Sequence, residues 1–234
     1  LPDACGGLLV RGNFGYLALG PSGLGIVDLS SPGSPRLLRT VPSAYVSQVV
    51  AMDGLPQLGV VNGSEFQVYD LEDPAEPRLL SSYTSLPPSQ RQVVAGSGRL
   101  YLNTGSGLQV FETKEPQSLV LLGEFRFANR FTPTMALTGK YAFMSFIGLG
   151  VSVIDLSDPE LPREAERLPL KSAQSIAIIG KHLWVWDGQA GMVSFNIENP
   201  AQPVEVARLD SKQTEATRPF VDQDRIWLPL RERG

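Results

Sequence analysis

One cysteine and one histidine in 234 residues set the first limits on what this chain does. Cys5 has no second cysteine to pair with, so no disulfide inside the chain staples the fold. It follows Leu-Pro-Asp-Ala, which lacks the apolar residue three places earlier that a bacterial lipid-attachment site carries, and it reads as a small apolar residue beginning a strand. The lone His182 opens the run Lys-His-Leu-Trp-Val-Trp and reads as a strand-end residue; with no His/Cys cluster there is no transition-metal spacing, and nothing points to a catalytic pair. No apolar run approaches the ~18 residues of a membrane span. Positive charge is also short: 20 Lys and Arg stand against 24 Asp and Glu, a net charge of −4 with no basic stripe, which argues against nucleic acid as the partner. The chain starts at Leu1 rather than Met, as a processed or cut end would, and shows no signal peptide. A 3.6-residue apolar periodicity is missing too, which excludes a helical solenoid.

What the chain has in abundance is regularity. Gly-Ile-Val-Asp-Leu (25–29) precedes Pro32 and Pro35, and Gln-Val-Tyr-Asp-Leu (67–71) precedes Pro74 and Pro77. Gln-Val-Phe-Glu-Thr (109–113) precedes Pro116, Ser-Val-Ile-Asp-Leu (152–156) precedes Pro159 and Pro162, and Val-Ser-Phe-Asn-Ile (193–197) precedes Pro200 and Pro203. Asp28, Asp70, Glu112, Asp155 and Asn196 are spaced by 42, 42, 43 and 41 residues. A fixed period of this size marks a repeat architecture, in which most recurring motifs are structural. Each period holds four strand-like segments, the first being 7–11, 15–19, 24–29 and 35–41, separated by Gly/Pro/Asn/Ser turns. The second and third segments, such as Tyr-Ala-Phe-Met (141–144) and Val-Ser-Val-Ile (151–154), are apolar on both faces. Strands covered on both sides suit sheets stacked between neighbours, and a four-stranded unit of about 40 residues predicts an all-β fold, a β-propeller of four-stranded blades. The recurring acid closes an Asx turn on backbone N–H groups two or three residues on, and the proline then fixes φ for the next strand. Five such acids on successive blades lie too far apart to share an ion.

Gly-Leu-Gly-Ile-Val-Asp-Leu-Ser-Ser-Pro-Gly-Ser-Pro (23–35) and Gly-Val-Ser-Val-Ile-Asp-Leu-Ser-Asp-Pro-Glu-Leu-Pro (150–162) resemble the LVIVD repeat, a bacterial and archaeal propeller repeat named for its apolar strand ending in Asp. The resemblance is specific in copies one, two and four. Copy three carries Glu112 for Asp and Leu119 for the second proline, and copy five carries Asn196. The resemblance implies an exported or surface-associated protein without an active-site motif.

One domain of repeats at 5–46, 47–90, 91–132, 133–173 and 174–216, with a half repeat at 217–234, is expected. In the half repeat, 218–222 matches a first strand and 225–230 a second; Pro229 removes a ladder donor and so suits a free sheet edge. Six blades with an incomplete last one follow, with five blades plus a two-stranded appendage as the alternative.

No cofactor, metal or catalytic residue set is implied. The glycine-rich stretches 103–107 and 148–150 are turns, and Asn62-Gly63-Ser64, formally a glycosylation sequon, is a hairpin-turn signal. The interblade loops and the turns between second and third strands are expected to share one face. There Phe127, Asn129, Arg130 and Phe131 cluster, joined by Tyr45, Arg91 and, from a strand-connecting turn, Trp186; aromatics and arginine are the types enriched at binding hot spots. Packing between blades is the competing role for the aromatics. Gln48, Gln92 and Gln174 are expected at one equivalent place at the channel mouth. The resulting expectation is a non-enzymatic, extracytoplasmic (periplasmic, secreted or cell-surface) module that binds a protein partner or assembles with itself. Two alternatives stay open: a propeller hydrolase or lyase acting on a carbohydrate or lactone through Asp187, Glu65 or Arg91, and a structural subunit that accepts partner strands at its open blade.

Overall fold

The computed structural model describes residues 5–52, 56–84, 86, 92–112, 119–127 and 134–209, and beyond these the backbone of 215–216, 220–222, 225–227 and 230–231. Among the described residues there is no helix, and none long and apolar enough to cross a membrane. The chain forms five antiparallel four-stranded sheets. The first is β1 (Gly7–Arg11), β2 (Phe14–Ala18), β3 (Leu24–Asp28) and β4 (Arg36–Val41). The second is β5 (Val46–Ala51), β6 (Gln57–Asn62), β7 (Glu65–Asp70) and β8 (Arg78–Tyr83). The third is β9 (Gln92–Gly96), β10 (Arg99–Asn103), β11 (Gly107–Glu112) and β12 (Val120–Arg126). The fourth is β13 (Met135–Thr138), β14 (Tyr141–Phe146), β15 (Gly150–Asp155) and β16 (Arg163–Leu168). The fifth is β17 (Ala173–Ile179), β18 (His182–Asp187), β19 (Gly191–Asn196) and β20 (Val204–Leu209). Two short pairs follow: β22 (Phe220–Asp222) with β23 (Arg225–Trp227), and β21 (Glu215–Ala216) with β24 (Leu230–Arg231).

Every four-stranded sheet is a meander in chain order, as tight turns between sequential strands require. The second and third strands are buried along almost their whole length, which answers to their apolar residues on both faces. The fourth strands are mostly exposed, and in β4, β8, β16 and β20 a register shift against the third strand marks a bulge, a device that blunts a sheet edge.

Two compact units make up the chain, residues 1–102 with 111–121, and 103–110 with 122–234. In the first, Tyr16, Ala18, Leu24 and Ile26 of the first sheet pack on Val46, Leu58, Val60 and Tyr69 of the second. Val61, Phe66, Val68 and Tyr83 of the second sheet pack in turn on Val93, Leu100, Leu102 and Phe111. In the second unit, Phe143, Val151, Val153 and Leu168 of the fourth sheet pack on Ile176, Leu183, Val185 and Val193 of the fifth.

The recurring acid makes the turn expected of it. The carboxylates of Asp28, Asp70 and Asp155 accept the N–H of Ser30, Glu72 and Ser157 at 2.9, 3.0 and 2.8 Å, and the Asn196 side-chain oxygen accepts that of Glu198 at 2.8 Å. Arg36, Arg78 and Arg163 then lie 3.6, 3.3 and 4.0 Å from the same three carboxylates. Hydrogen bonds from Ser30 and Ser157, assisted by Arg36 and Arg163, hold Asp28 and Asp155 below the ordinary carboxylate range. Cys5 is exposed ahead of β1, its thiol donating to the Gly7 carbonyl at 3.1 Å, rather than packed as an apolar strand residue. Pro229 lies outside the described residues.

Candidate functional site

The loop-bearing ends of the blades are organised by one recurring position, the last residue of the second strand. In the second sheet it is Asn62, whose side-chain oxygen accepts the N–H of Tyr45 at 2.8 Å. In the fifth it is Asp187, fully buried: one carboxylate oxygen accepts Ser172 N–H at 2.7 Å, the other accepts Gln189 and Ala190 N–H at 2.8 Å each. Both residues stand before glycine, as Asn62-Gly63 and Asp187-Gly188, and that pairing is the signal by which sequence reading could have found them. Their job is to tie an interblade loop to a hairpin turn, because buried N–H groups demand partners. The fourth sheet departs from this. Its residue here is Phe146, and instead of a hydrogen bond it receives the ring of Phe127, edge-on with centroids 4.4 Å apart; Phe125 adds a second edge contact to Phe127 at 4.9 Å.

A second recurring position lies on the first strand or immediately before it. Gln48 accepts the N–H of Val93, in the first strand of the following sheet, at 2.9 Å. Thr134 does the same for Ile176 at 3.1 Å, its hydroxyl also 3.0 Å from that of Ser145. These side chains rivet one blade's inner strand to the next. Ser175 occupies the equivalent place in the fifth sheet, opposite Trp186 as Gln48 is opposite Val61. Gln48 and Gln174 are therefore not equivalent, contrary to expectation: Gln174 falls in the bulge between Ala173 and Ser175, and its amide fills the space over Gly188. Gln92 is half-buried at the start of β9.

Of the aromatic and arginine residues expected at the loop face, Tyr45 is 54% exposed and Phe127 half-buried. Arg91, Asn129, Arg130 and Phe131 lie outside the described residues. Trp186 is not in a turn: it sits within β18, 2% exposed, packed with Met192 and Trp184. Ile147, which sequence reading passed over, is 51% exposed beside the Gly148–Lys171 backbone bond of the second unit.

The acids weighed for catalysis have other work. Asp187 has three N–H donors around it and no exposed surface. Glu65 accepts from Ser82 Oγ and Gln67 Nε2, each at 3.1 Å, and Gln67 in turn accepts from Tyr69. Among the described residues no three His, Cys, Asp or Glu side chains come together as a metal-binding group.

Antiparallel four-stranded meanders repeated about every 42 residues, their second and third strands buried, define a β-propeller. The LVIVD repeat model matches residues 4–42, 132–168 and 171–211, half of the chain, and the chain belongs to that family. Comparison with curated protein sequences gives no match. Among solved structures, a functionally unknown protein from Desulfotomaculum acetoxidans DSM 771 is similar at a TM-score of 0.72 and 14% identity, over 91% of this chain and 72% of that one. The computationally designed Ika8 protein is similar at 0.70 and 11% identity, over 96% and 67%. A candidate 6-phosphogluconolactonase from Bacteroides fragilis NCTC 9343 follows at 0.65 and 13% identity, over 87% and 70%. At such identities the likeness is one of fold; a designed protein matches as well as natural ones.

Proposed function

We propose that this propeller is a non-catalytic binding or assembly module acting outside the cytoplasm, and that it engages a protein through its blade-loop ends. The observation that carries the reading is the substitution at Phe146. Where Asn62 and Asp187 accept a backbone N–H, the fourth sheet spends a buried ring on holding Phe127, the residue that leads into the Ala-Asn-Arg-Phe stretch at 128–131. A rigidly held aromatic next in sequence to residues rich in Phe and Arg, the types enriched at binding hot spots, supports a protein-binding anchor here. Tyr45 supplies an exposed aromatic at the corresponding end of the first unit. The hydrolase or lyase reading loses support, because Asp187 and Glu65 are committed to the hairpins they sit in. Family membership favours the extracytoplasmic assignment.

The test is purification of the protein with its native associations, followed by Arg130→Ala/Phe131→Ala and Tyr45→Ala variants. Loss of the associated protein in either variant, with an unchanged melting temperature, is the expected result. Associations that survive both substitutions would remove the loop ends from the role, and fractionation with the cytoplasmic contents would remove the location.

A further inference from the structure

Tyr45 stands in a place that the fifth blade fills with a small, covered side chain. Its N–H goes to the Asn62 side-chain oxygen at 2.8 Å, and its carbonyl accepts the Gly63 N–H at 3.0 Å. Ser172 makes the same two bonds, donating to Asp187 at 2.7 Å and accepting from Gly188 at 2.9 Å. The residues that follow, Val46 and Ala173, lie opposite Asn62 and Asp187 in their ladders. The main-chain frame is thus the same, yet Ser172 is 9% exposed and Tyr45 54%. A serine suffices to tie the interblade loop to the hairpin turn, so the ring of Tyr45 adds nothing that this tie requires.

The ring is nevertheless held in place. Val46 and Gly20 exchange both main-chain N–H bonds at 2.9 Å, which fixes the residue after Tyr45. The ring rests against Gly20, where a Cβ would stand 3.6 Å from Cε2. Gly23 approaches the same loop so closely that a Cβ there would strike the Val41 carbonyl oxygen. The turn at 20–23 and the loop at 41–45 therefore pack side by side. An exposed tyrosine on a pinned backbone loses little further freedom on binding, and tyrosine is among the types that dominate binding hot spots.

The chemistry of this surface narrows the ligand. Residues 12–27, 40–52 and 61–64, which build it, hold no Asp, Glu, Lys or Arg. A charged group brought here would lose water and gain no ionic partner. The planar polar side chains that would grip a sugar are committed: Asn62, 9% exposed, to the Tyr45 N–H, and Gln48 to the Val93 N–H. What the two packed segments do expose, besides the ring, is Pro21 and Pro42. Aromatic-lined apolar surfaces of this kind take polyproline II segments, whose backbone is extended before binding and costs little to order.

We propose that Tyr45, with Pro21 and Pro42, receives an uncharged, proline-containing extended segment of the protein partner, a pyrrolidine ring packing on the exposed face of the phenol ring. The C–H groups of the pyrrolidine are drawn to the negative face of the aromatic ring. This inference rests on the loop-end reading above and names the chemistry of that surface in the first unit.

The probe is a synthetic decaproline peptide titrated into the 234-residue protein and followed by amide NMR shifts. A Gly/Ser peptide of the same length and maltoheptaose serve as comparisons. Saturable binding of decaproline is expected, with shifts centred on 20–23 and 42–46, and no response to the Gly/Ser peptide. Tyr45→Ser, the side chain the fifth blade uses, weakens binding roughly tenfold or more with an unchanged melting temperature, and Tyr45→Trp retains it. Tyr45→Ser keeps both main-chain bonds, so the variant folds. Absence of saturable binding, binding indifferent to Tyr45→Ser, or a Tyr45-dependent response to maltoheptaose in place of decaproline would each overturn the proposal. If decaproline fails while the native association still depends on Tyr45, the proline segment falls and the loop-end reading stands. If the native association is indifferent to Tyr45→Ala, this end of the reading falls and the proposal with it.

Discussion

The ring of Phe127 meets that of Phe146 edge-on at 4.4 Å, in the place where Asn62 and Asp187 accept backbone N–H bonds in other blades. Phe146 is buried, so its truncation to Ala is expected to cost about 3–5 kcal/mol. The pair itself is isolated by a double-mutant cycle of Phe127→Leu and Phe146→Leu. A coupling of about 0.5–1.5 kcal/mol in urea unfolding is expected. Additive effects would show that Phe127 is not held by Phe146.

Asp187 serves the opposite design, a charge caged by three N–H donors. Asp187→Ala leaves those donors without acceptors and is expected to destabilise by at least about 3 kcal/mol. Asp187→Asn keeps one accepting oxygen and should retain a larger part of the stability, as Asn62 does in its own blade. Equal losses in the two variants would mean that the charge, not the hydrogen-bonding geometry, organises this turn.

Acid should loosen the third-to-fourth turns first. Asp28 and Asp155 have folded-state pKa values below the unfolded value, so their contribution is full above about pH 4 and disappears as pH falls through the lower folded values. The fifth repeat makes the same turn with Asn196, which does not titrate. The double variant Asp28→Asn/Asp155→Asn should therefore fold normally and show a shallower fall in melting temperature between about pH 4 and pH 2.5. An unchanged slope would assign the acid sensitivity to other groups.

The start of the third strand in the fourth blade admits only glycine. Gly150 has φ +87°, and a Cβ there would run into the Leu168 carbonyl oxygen. Gly150→Ala is expected to cost about 3 kcal/mol or more. Gly139, at φ +54° with open space around it, should cost only about 1–2 kcal/mol on the same change. Comparable losses at both sites would leave strained φ, rather than the close backbone approach, as the whole cause.

Most of the fold was legible because a repeat states its pattern five times. The strand limits expected for the first blade lie within a residue of those observed, and the Asp-to-Pro turns formed as their chemistry requires. The site was less legible, for a specific reason. A one-residue bulge moves every following side chain to the other face, and nothing in Ser-Ala-Gln-Ser announces that Gln174 is the residue left out of the ladder. Gln174 was thus aligned with Gln48, and Ser175, its true equivalent, went unremarked. Trp186 read as a turn residue because His-Leu-Trp-Val-Trp-Asp-Gly gives no sign of how far the strand runs before the glycine. Leu209 could not be told from Leu168 at all: both end a fourth strand, and only the neighbouring blade decides which is covered.

Site-specific photo-crosslinking in the native host tests the binding role most directly. A crosslinking side chain placed at Tyr45 or at Phe131 should capture one discrete protein partner outside the cytoplasm, while the same group at Leu80 on an outer strand captures none. Adducts that form equally at Leu80, or none at either loop position, would contradict the assignment of the blade-loop ends as the working surface of this propeller.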